Sequence, residues 1–214
     1  QRQHNISVEY DEDYDSWAGP FIMASINTRV VLRSNALVDG HYAENFKYDE
    51  AMLTSSEKKG EKMAKKLSSG TKASMFMMAF APMRWLATRV FLPSPGEGPT
   101  PEQQLKGCYD LRLLGRTKQG EKVRVRVTGD RDPGYGSTAK MLAQAGISLR
   151  RDVDEGEVGG GFWTPATAFN DKLITRLVDY AGMGFELESI SQAVPKTEET
   201  IADAFNESAP SAQN

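Results

Sequence analysis

The sequence predicts an α+β fold with a mixed or antiparallel sheet and helices packed on it. Two neighbouring stretches, residues 109–113 and 123–127, alternate apolar and charged side chains, which is typical of an antiparallel hairpin with one buried face. Apolar residues recur at helical spacing within residues 20–38 and 164–181, which predicts amphipathic helices. With 39% hydrophobic residues in a chain of 214, there is enough apolar material for a packed core.

The composition argues against several classes of protein. Twenty-six basic and 29 acidic side chains give a net charge of −3, whereas a dedicated nucleic-acid binder normally has a basic surplus. Cys108 is the one cysteine in the sequence, which fits a reducing compartment, and we expect a cytoplasmic protein. Because only His4 and His41 accompany that cysteine, a zinc site of His and Cys ligands is unfavourable, and we expect no metal.

Charge and composition divide the chain into three parts. We expect an acidic lead-in over residues 1–16, one α+β domain over residues 17–190, and a polar, flexible tail over residues 191–214. The sequence begins at Gln1 rather than at a methionine, so we also expect an upstream segment that it does not include.

The first helix is predicted from Pro20 to Val38. Proline suits a first helical position, and a spacing of four separates the apolar residues Ile22, Ile26 and Val30. Arg29 and Arg33 are also four apart and share a face. The favoured interpretation is an amphipathic helix with a solvated basic edge. The alternative is a helix that presents Asn27, Arg29 and Arg33 to an anionic ligand or substrate.

A short strand is predicted over Phe46–Met52, followed by a basic surface helix over Ser55–Lys66. The stretch from Met75 to Leu92 is apolar and rich in methionine, a residue that adapts to irregular partners. Core packing is the favoured interpretation of this stretch. Because it follows a basic helix, an acyl pocket or peripheral membrane contact is the alternative. Pro82 and Arg84 interrupt it, so it is too short to span a bilayer, which takes about 20 apolar residues.

A glycine turn follows the hairpin and precedes a predicted helix. Gly134 to Ala139 matches the dinucleotide fingerprint, but the preceding strand alternates valine with arginine, whereas the first strand of a Rossmann fold is nearly all apolar. Amides at the start of a helix can bind an anion, and a tight turn that needs glycine explains the pattern equally well. Further along, Thr164 and Pro165 predict a helix start, Gly182 a helix end, and Phe185–Ile190 a last strand.

Several longer stretches resemble the saccharopine dehydrogenase-like oxidoreductases, in particular their trans-acting enoyl reductase branch. These stretches are Trp17–Arg29, Arg33–Leu37, Leu92–Pro99, Gly129–Met141 and Gly160–Ala166. The resemblance implies an NAD(P)-dependent reductase with an N-terminal Rossmann domain and a mixed α+β domain that shapes the substrate site and supports dimerisation. It also implies acyl, lipid or polyketide substrates.

The chain lacks the Rossmann half of that family, so the resemblance implies a C-terminal part that is inactive alone. NADP or NAD would be held mainly by the absent domain, and the chain would form a homodimer. Reduction of an enoyl group needs a proton donor and groups that polarise the developing enolate. We expect Tyr135 to be the donor, and the remaining candidate substrate-binding residues are Asn27, Arg29, Arg33, Asp132, Gly136, Ser137 and Thr138. The alternative is a non-catalytic acyl-binding or membrane-contact module.

Overall fold

The computed structural model describes residues 7–191 except residues 44, 91, 95 and 155, and its architecture is α+β, as predicted. The chain divides into two compact units. The first consists of Gln1–Gly98 with Leu149–Asn170, and the second of Pro99–Ser148 with Asp171–Asn214. Each unit has a three-stranded sheet whose strands pair antiparallel. The predicted tail lies outside the described residues from residue 192 onward.

The sheet of the first unit has the order β1-β2-β3 and consists of β1 (Glu9–Asp11), β2 (Ser16–Pro20) and β3 (Ala51–Leu53). Pro20 lies opposite Ala51 at the end of β2, so the prediction that it begins a helix is wrong. A proline is tolerated at a strand end because its missing N–H is not needed there. The strand predicted over Phe46–Met52 is wrong for residues 46–50, since β3 begins at Ala51. β1 lies within the predicted acidic lead-in.

Helix α1 (Ala24–Leu37) begins after Met23, four residues later than predicted. It contacts α6 (Pro165–Phe169), where the buried hydroxyls of Ser34 and Thr164 lie 2.7 Å apart. Thr164 and Pro165 begin α6 as predicted. The prediction of one continuous helix from Thr164 to Ala181 is wrong, because Asn170 adopts a φ of 47° and separates two helices.

Helix α2 (Lys58–Ala79) joins the predicted basic helix to the first part of the apolar stretch, and α3 (Ala81–Val90) carries the rest. The small residues Gly60, Ala64 and Ser68 are buried at a spacing of four along one face of α2, and α2 packs on β2. The Thr54 hydroxyl lies within hydrogen-bond distance of two carbonyls, those of Gly60 at 3.0 Å and Trp17 at 2.9 Å, between which its one proton is shared. These contacts leave the opposite face of α2 exposed.

The sheet of the second unit confirms the predicted hairpin and the last strand. Its order is β4-β5-β6, with β4 (Tyr109–Arg116), β5 (Lys122–Gly129) and β6 (Met183–Ser191). Leu111 lies opposite Val127, and Leu113 opposite Val125, so the apolar residues share one face. The other elements are α4 (Pro101–Lys106), α5 (Gly136–Arg151), which runs past the unit boundary at Ser148, and α7 (Asp171–Ala181).

Helix α7 covers one end of this apolar face. Leu177, Ala181 and Met183 are buried, and five partly buried residues pack against them: Tyr109, Val127, Met141, Leu173 and Phe185. The helix ends as predicted at Gly182, whose φ of +65° favours glycine. At the other end of the face, Leu187 and Ile190 are exposed.

Strand β6 contains one residue more than its partner. Val125 lies opposite Leu187 and Arg124 lies opposite Ser189, so Glu188 is the extra residue of a bulge. Because of this bulge, Leu187 and Ile190 share the apolar face even though they are three residues apart.

None of the helices formed by the described residues combines the length and the apolar character needed to cross a bilayer. Helix α2 has 22 residues, but its first four turns are rich in lysine.

Candidate functional site

The turn between β5 and α5 is organised around Asp132. Its amide donates to the Gln104 carbonyl of α4 at 3.0 Å, and its own carbonyl accepts from the amide of Ser137 at 2.8 Å. Its carboxylate Oδ2 accepts from the amides of Tyr135 at 2.7 Å and Gly136 at 3.2 Å. Asp132 therefore satisfies three amides at the start of α5 that otherwise have no partner within the helix.

These hydrogen bonds hold the carboxylate of Asp132 in its ionised form. The Tyr135 amide is the largest cause of its lowered pKa, and the amides of Gly136 and Gly134 act in the same direction against a desolvation that raises it. The negative charge also lies where the helix dipole favours an anion. The sequence pattern left open whether these amides bind an external anion or belong to a tight turn, and it did not reveal that Asp132 itself accepts hydrogen bonds from them.

Ser137 is fully buried. Its Oγ lies 3.0 Å from the Tyr109 hydroxyl, and the residue has no exposed surface. The Tyr109 ring in turn covers Gly129, where a Cβ would lie 2.2 Å from a ring carbon. In this conformation the Ser137 hydroxyl therefore supports the turn from the inside.

Tyr135 and Thr138 lie on the outer side of the same turn. Tyr135 is 54% exposed, while its amide is fixed by Asp132. Thr138 is exposed, and its hydroxyl donates to the Pro133 carbonyl at 2.6 Å. The turn thus presents a solvent-accessible phenol on a backbone that is fixed by hydrogen bonds.

Lys140 pairs with Asp130. The Nζ atom lies 2.6 Å from Asp130 Oδ1, and this hydrogen bond is the largest cause of the lowered pKa of Asp130. Ser137 and Lys140 have the spacing of a Ser-x-x-Lys nucleophile pair. They make their hydrogen bonds to other partners, Tyr109 and Asp130 respectively, so they do not form that pair in this structure.

The first unit holds the other candidate residues, on α1. Arg29 and Arg33 are exposed. Asn27 donates from Nδ2 to Glu50 Oε2 at 2.9 Å, and the Tyr48 hydroxyl donates to Glu50 Oε1 at 2.7 Å. Burial, and then the hydrogen bond to Glu50, raise the pKa of Tyr48. The sequence pattern singles out Asn27 but not Tyr48 or Glu50, because it predicts a strand over residues 46–50.

The apolar stripe of α1 is exposed. Ile22, Ile26 and Val30 are 65%, 54% and 44% exposed, whereas Thr28 and Ser34 on the same helix are buried. The predicted amphipathic helix therefore exists, but its fully buried residues are the polar Thr28 and Ser34, while Arg29 and Arg33 are exposed together with the apolar row. A stripe of this kind indicates a surface that packs against something else.

The structure brings Asp132, Tyr135, Gly136, Ser137 and Thr138 together in the second unit, and Asn27 with Arg29 and Arg33 on one helix of the first. The two groups lie in different units. Substrate contact stays a prediction for all eight residues. Among the described residues no group of three or more His, Cys, Asp or Glu side chains could hold a metal ion.

No family model matches the chain, and no solved structure matches it. A protein of Mycobacterium tuberculosis named as a candidate trans-acting enoyl reductase is 35% identical over 164 residues. Proteins named trans-acting enoyl reductase are 34% identical over 164 residues in Mycobacterium bovis and 31% identical over 168 residues in Mycobacterium ulcerans. Each match covers 75% of this chain and 39% of the relative. Three quarters of the chain is therefore similar to a part of the trans-acting enoyl reductases, and the chain spans less than half of their length.

Proposed function

We propose that this chain is the substrate-binding and dimerisation portion of an NAD(P)-dependent enoyl reductase of the saccharopine dehydrogenase-like type. The observation that carries the proposal is the 34–35% identity to trans-acting enoyl reductases over 164 residues. The substrates would be acyl chains of the lipid or polyketide class, and the protein would work in the cytoplasm.

The pairing of the described strands supports a cofactor site outside this chain. Every strand pair among them is antiparallel, whereas a dinucleotide fold needs parallel strands joined through a helix. The glycine turn would have to bind pyrophosphate with amides that donate to Asp132. We therefore assign NADP or NAD to a Rossmann domain outside this chain.

The exposed stripe of α1 supports such a partner domain. Ile22, just before α1, and Ile26 and Val30 on it form an exposed apolar row, and apolar rows of this size are normally covered. In our proposal the Rossmann domain packs on this row. Arg29 and Arg33 lie on the same helix and would face an anionic or carbonyl group of the substrate near that junction.

The chemistry that this chain would supply is protonation and charge stabilisation. Reduction of an enoyl group places negative charge on the carbonyl oxygen and requires a proton at the α-carbon. Tyr135 is the proposed donor, because its phenol is exposed and its backbone is held by Asp132. The Thr138 amide lies on the same turn and is a proposed polarising group, whereas substrate contact by Asn27 and Arg29, on α1 of the other unit, stays a separate prediction.

Dimerisation would use the uncovered end of the second sheet. Four apolar side chains of one face are 42–66% exposed there: Leu111, Leu113, Leu187 and Ile190. A second copy that covered this patch would remove apolar surface from water on both chains.

A titration tests the assignment of the cofactor. The chain alone, mixed with NADPH or NADH and followed by nucleotide fluorescence, should not bind, whereas a version extended to the length of its relatives should bind at micromolar concentration. Gly136→Val is the informative variant, and Gly146→Val, also on α5, is its control because no atom lies within 4 Å of a Cβ there. Micromolar binding by the chain alone that Gly136→Val abolishes and Gly146→Val retains would contradict the proposal.

A further inference from the structure

The positive charge of this acidic protein is concentrated in α2 and α3. Residues 58–90 contain six lysines and two arginines but one acidic residue, Glu61, a net charge of +7 in a chain whose total is −3. No acidic residue occurs between Glu61 and Glu97. The rest of the chain therefore carries −10, and the protein has a strong charge asymmetry.

The exposed face of α2 changes character along its length. Gly60, Ala64 and Ser68 line the face that packs on β2, and the lysines lie exposed on the other side. Lys72, Phe76 and Phe80 follow one another at a spacing of four, so the lysine row continues directly into two phenylalanines. Phe76 and Phe80 are 67% and 54% exposed, and their rings stack at 6.4 Å.

Helix α3 extends this apolar region. Ala87 is its one buried residue among those the structure describes, so most of its apolar side chains face outward. Trp85 is 59% exposed, and the Arg89 guanidinium lies 5.0 Å above its ring. We call the exposed apolar set the α2–α3 surface, and it consists of Met75, Phe76, Met78, Phe80, Met83, Trp85, Leu86 and Val90.

We propose that the α2–α3 surface docks on the face of an anionic phospholipid bilayer. The apolar side chains would enter the boundary between headgroups and acyl chains, while the lysines of α2 and Arg84 and Arg89 of α3 would contact lipid phosphates. Tryptophan and arginine are suited to this depth, because each combines an apolar body with a polar end.

Charge favours an anionic bilayer over a second copy of the chain as the partner of this surface. A second copy of the chain would bring two surfaces of charge +7 together, which is unfavourable. An anionic bilayer complements the surface and repels the remaining −10, so that it also orients the protein. The inference does not depend on the enoyl reductase proposal, since it uses only the charge and exposure of α2 and α3.

Co-sedimentation of the whole chain with vesicles tests the proposal. We expect binding to vesicles of equal parts phosphatidylcholine and phosphatidylglycerol, and much weaker binding to pure phosphatidylcholine. Raising the salt from about 0.1 M to about 1 M shortens the Debye length from about 10 Å to about 3 Å and should weaken binding. Joint replacement of Phe76 and Phe80 by serine should lower the partition coefficient roughly tenfold or more for each residue.

A matched control is available in the same unit. Phe162 is 94% exposed but lies outside α2 and α3, so Phe162→Ser should leave vesicle binding unchanged. Quenching of tryptophan fluorescence by brominated acyl chains is a second readout that leaves α2 and α3 intact, and the conservative change Trp85→Phe should remove most of it. Absence of binding to the anionic vesicles, as expected if a protein covers this surface, would overturn the proposal. Binding that Phe162→Ser reduces as much as the double change would also overturn it.

Discussion

The carboxylate of Asp132 accepts a hydrogen bond from the amide of Tyr135 at 2.7 Å and so fixes the backbone of the candidate proton donor. We expect Asp132→Asn to lower the thermal unfolding temperature at pH 7. The pKa of Asp132 is lowered in the fold, so its stabilisation is complete above the unfolded value of about 3.9 and disappears as the pH falls through the folded value. The difference between wild type and variant should therefore shrink toward about pH 3. Asp179→Asn, at an exposed carboxylate of α7, is the control, and equal unfolding temperatures at pH 7 would contradict the role of Asp132.

The contact between Tyr109 and Gly129 predicts a severe effect of a small substitution. A Cβ at Gly129 would lie 2.2 Å from the Tyr109 ring, so Gly129→Ala should destabilise the fold by about 1–3 kcal/mol through overpacking. Gly146→Ala meets no atom within 4 Å and lies in α5, where alanine should instead stabilise by roughly 0.5–1 kcal/mol. Urea unfolding of both variants measures the two effects. A neutral Gly129→Ala would show that Tyr109 moves aside without loss.

The hydroxyl of Tyr48 donates to Glu50 within the first unit, and its removal should be measurable. Tyr48→Phe should cost about 1 kcal/mol of stability, whereas the exposed Tyr42→Phe should have little effect. Because burial raises the pKa of Tyr48, its contribution is complete below about pH 10 and is lost as the pH rises through the folded value. Tyrosinate absorbance should therefore show that Tyr48 ionises late. If Tyr48→Phe instead lost part of the absorbance change at the start of the titration, Tyr48 would ionise early and this prediction would be wrong.

Activity should depend on Tyr135 if it protonates the product. In a full-length enzyme, Tyr135→Phe should lower kcat by about 100-fold or more, since a general acid contributes about that much. Tyr180→Phe removes a second exposed phenol from the same unit and should leave turnover unchanged. Normal turnover of the Tyr135→Phe enzyme would remove this residue from the mechanism.

A charge on the uncovered end of the second sheet should break a dimer. We expect a solution mass of twice 23.6 kDa for the wild-type chain and the mass of one chain for Leu187→Glu. Ser189→Glu places the same charge on the opposite face of β6 and should remain dimeric. Light scattering after size-exclusion chromatography measures all three. A wild-type chain that is monomeric at every concentration would exclude this interface.

The hairpin, the start of α6 and the end of α7 were predictable because local patterns determine them. Val123, Val125 and Val127 alternate with charged residues, and this period alone identifies β5 and its buried face. Thr164, Pro165 and Gly182 mark helix ends through their backbone preferences. Each of these signals acts within a few residues, so it can be detected without knowledge of the tertiary fold.

The predictions that were wrong concern residues whose structure depends on tertiary contacts. Pro20 is equally suited to a helix start and a strand end, and pairing with Ala51 selects the strand. The spacing of Ile22, Ile26 and Val30 predicts a helix, but it cannot say that this row faces outward. In the candidate site, the composition of the turn fitted an anion-binding start of α5 and a tight glycine turn equally well. It could not reveal that Asp132 folds back onto the amides, because Asx turns of this kind depend on side-chain rotamers.

The bulge in β6 gives the strand a position at which one residue can be lost. Loss of one codon at Glu188 would restore continuous pairing with β5, and it would leave Ile190 opposite Val123 on the apolar face. Loss or gain of a residue in the regularly paired part of β5 would instead turn the side chains beyond it to the other face. The turn around Gly120 can also lengthen or shorten without inverting a strand. Among relatives, changes of length should therefore occur at the hairpin turn and at position 188 more often than within β5.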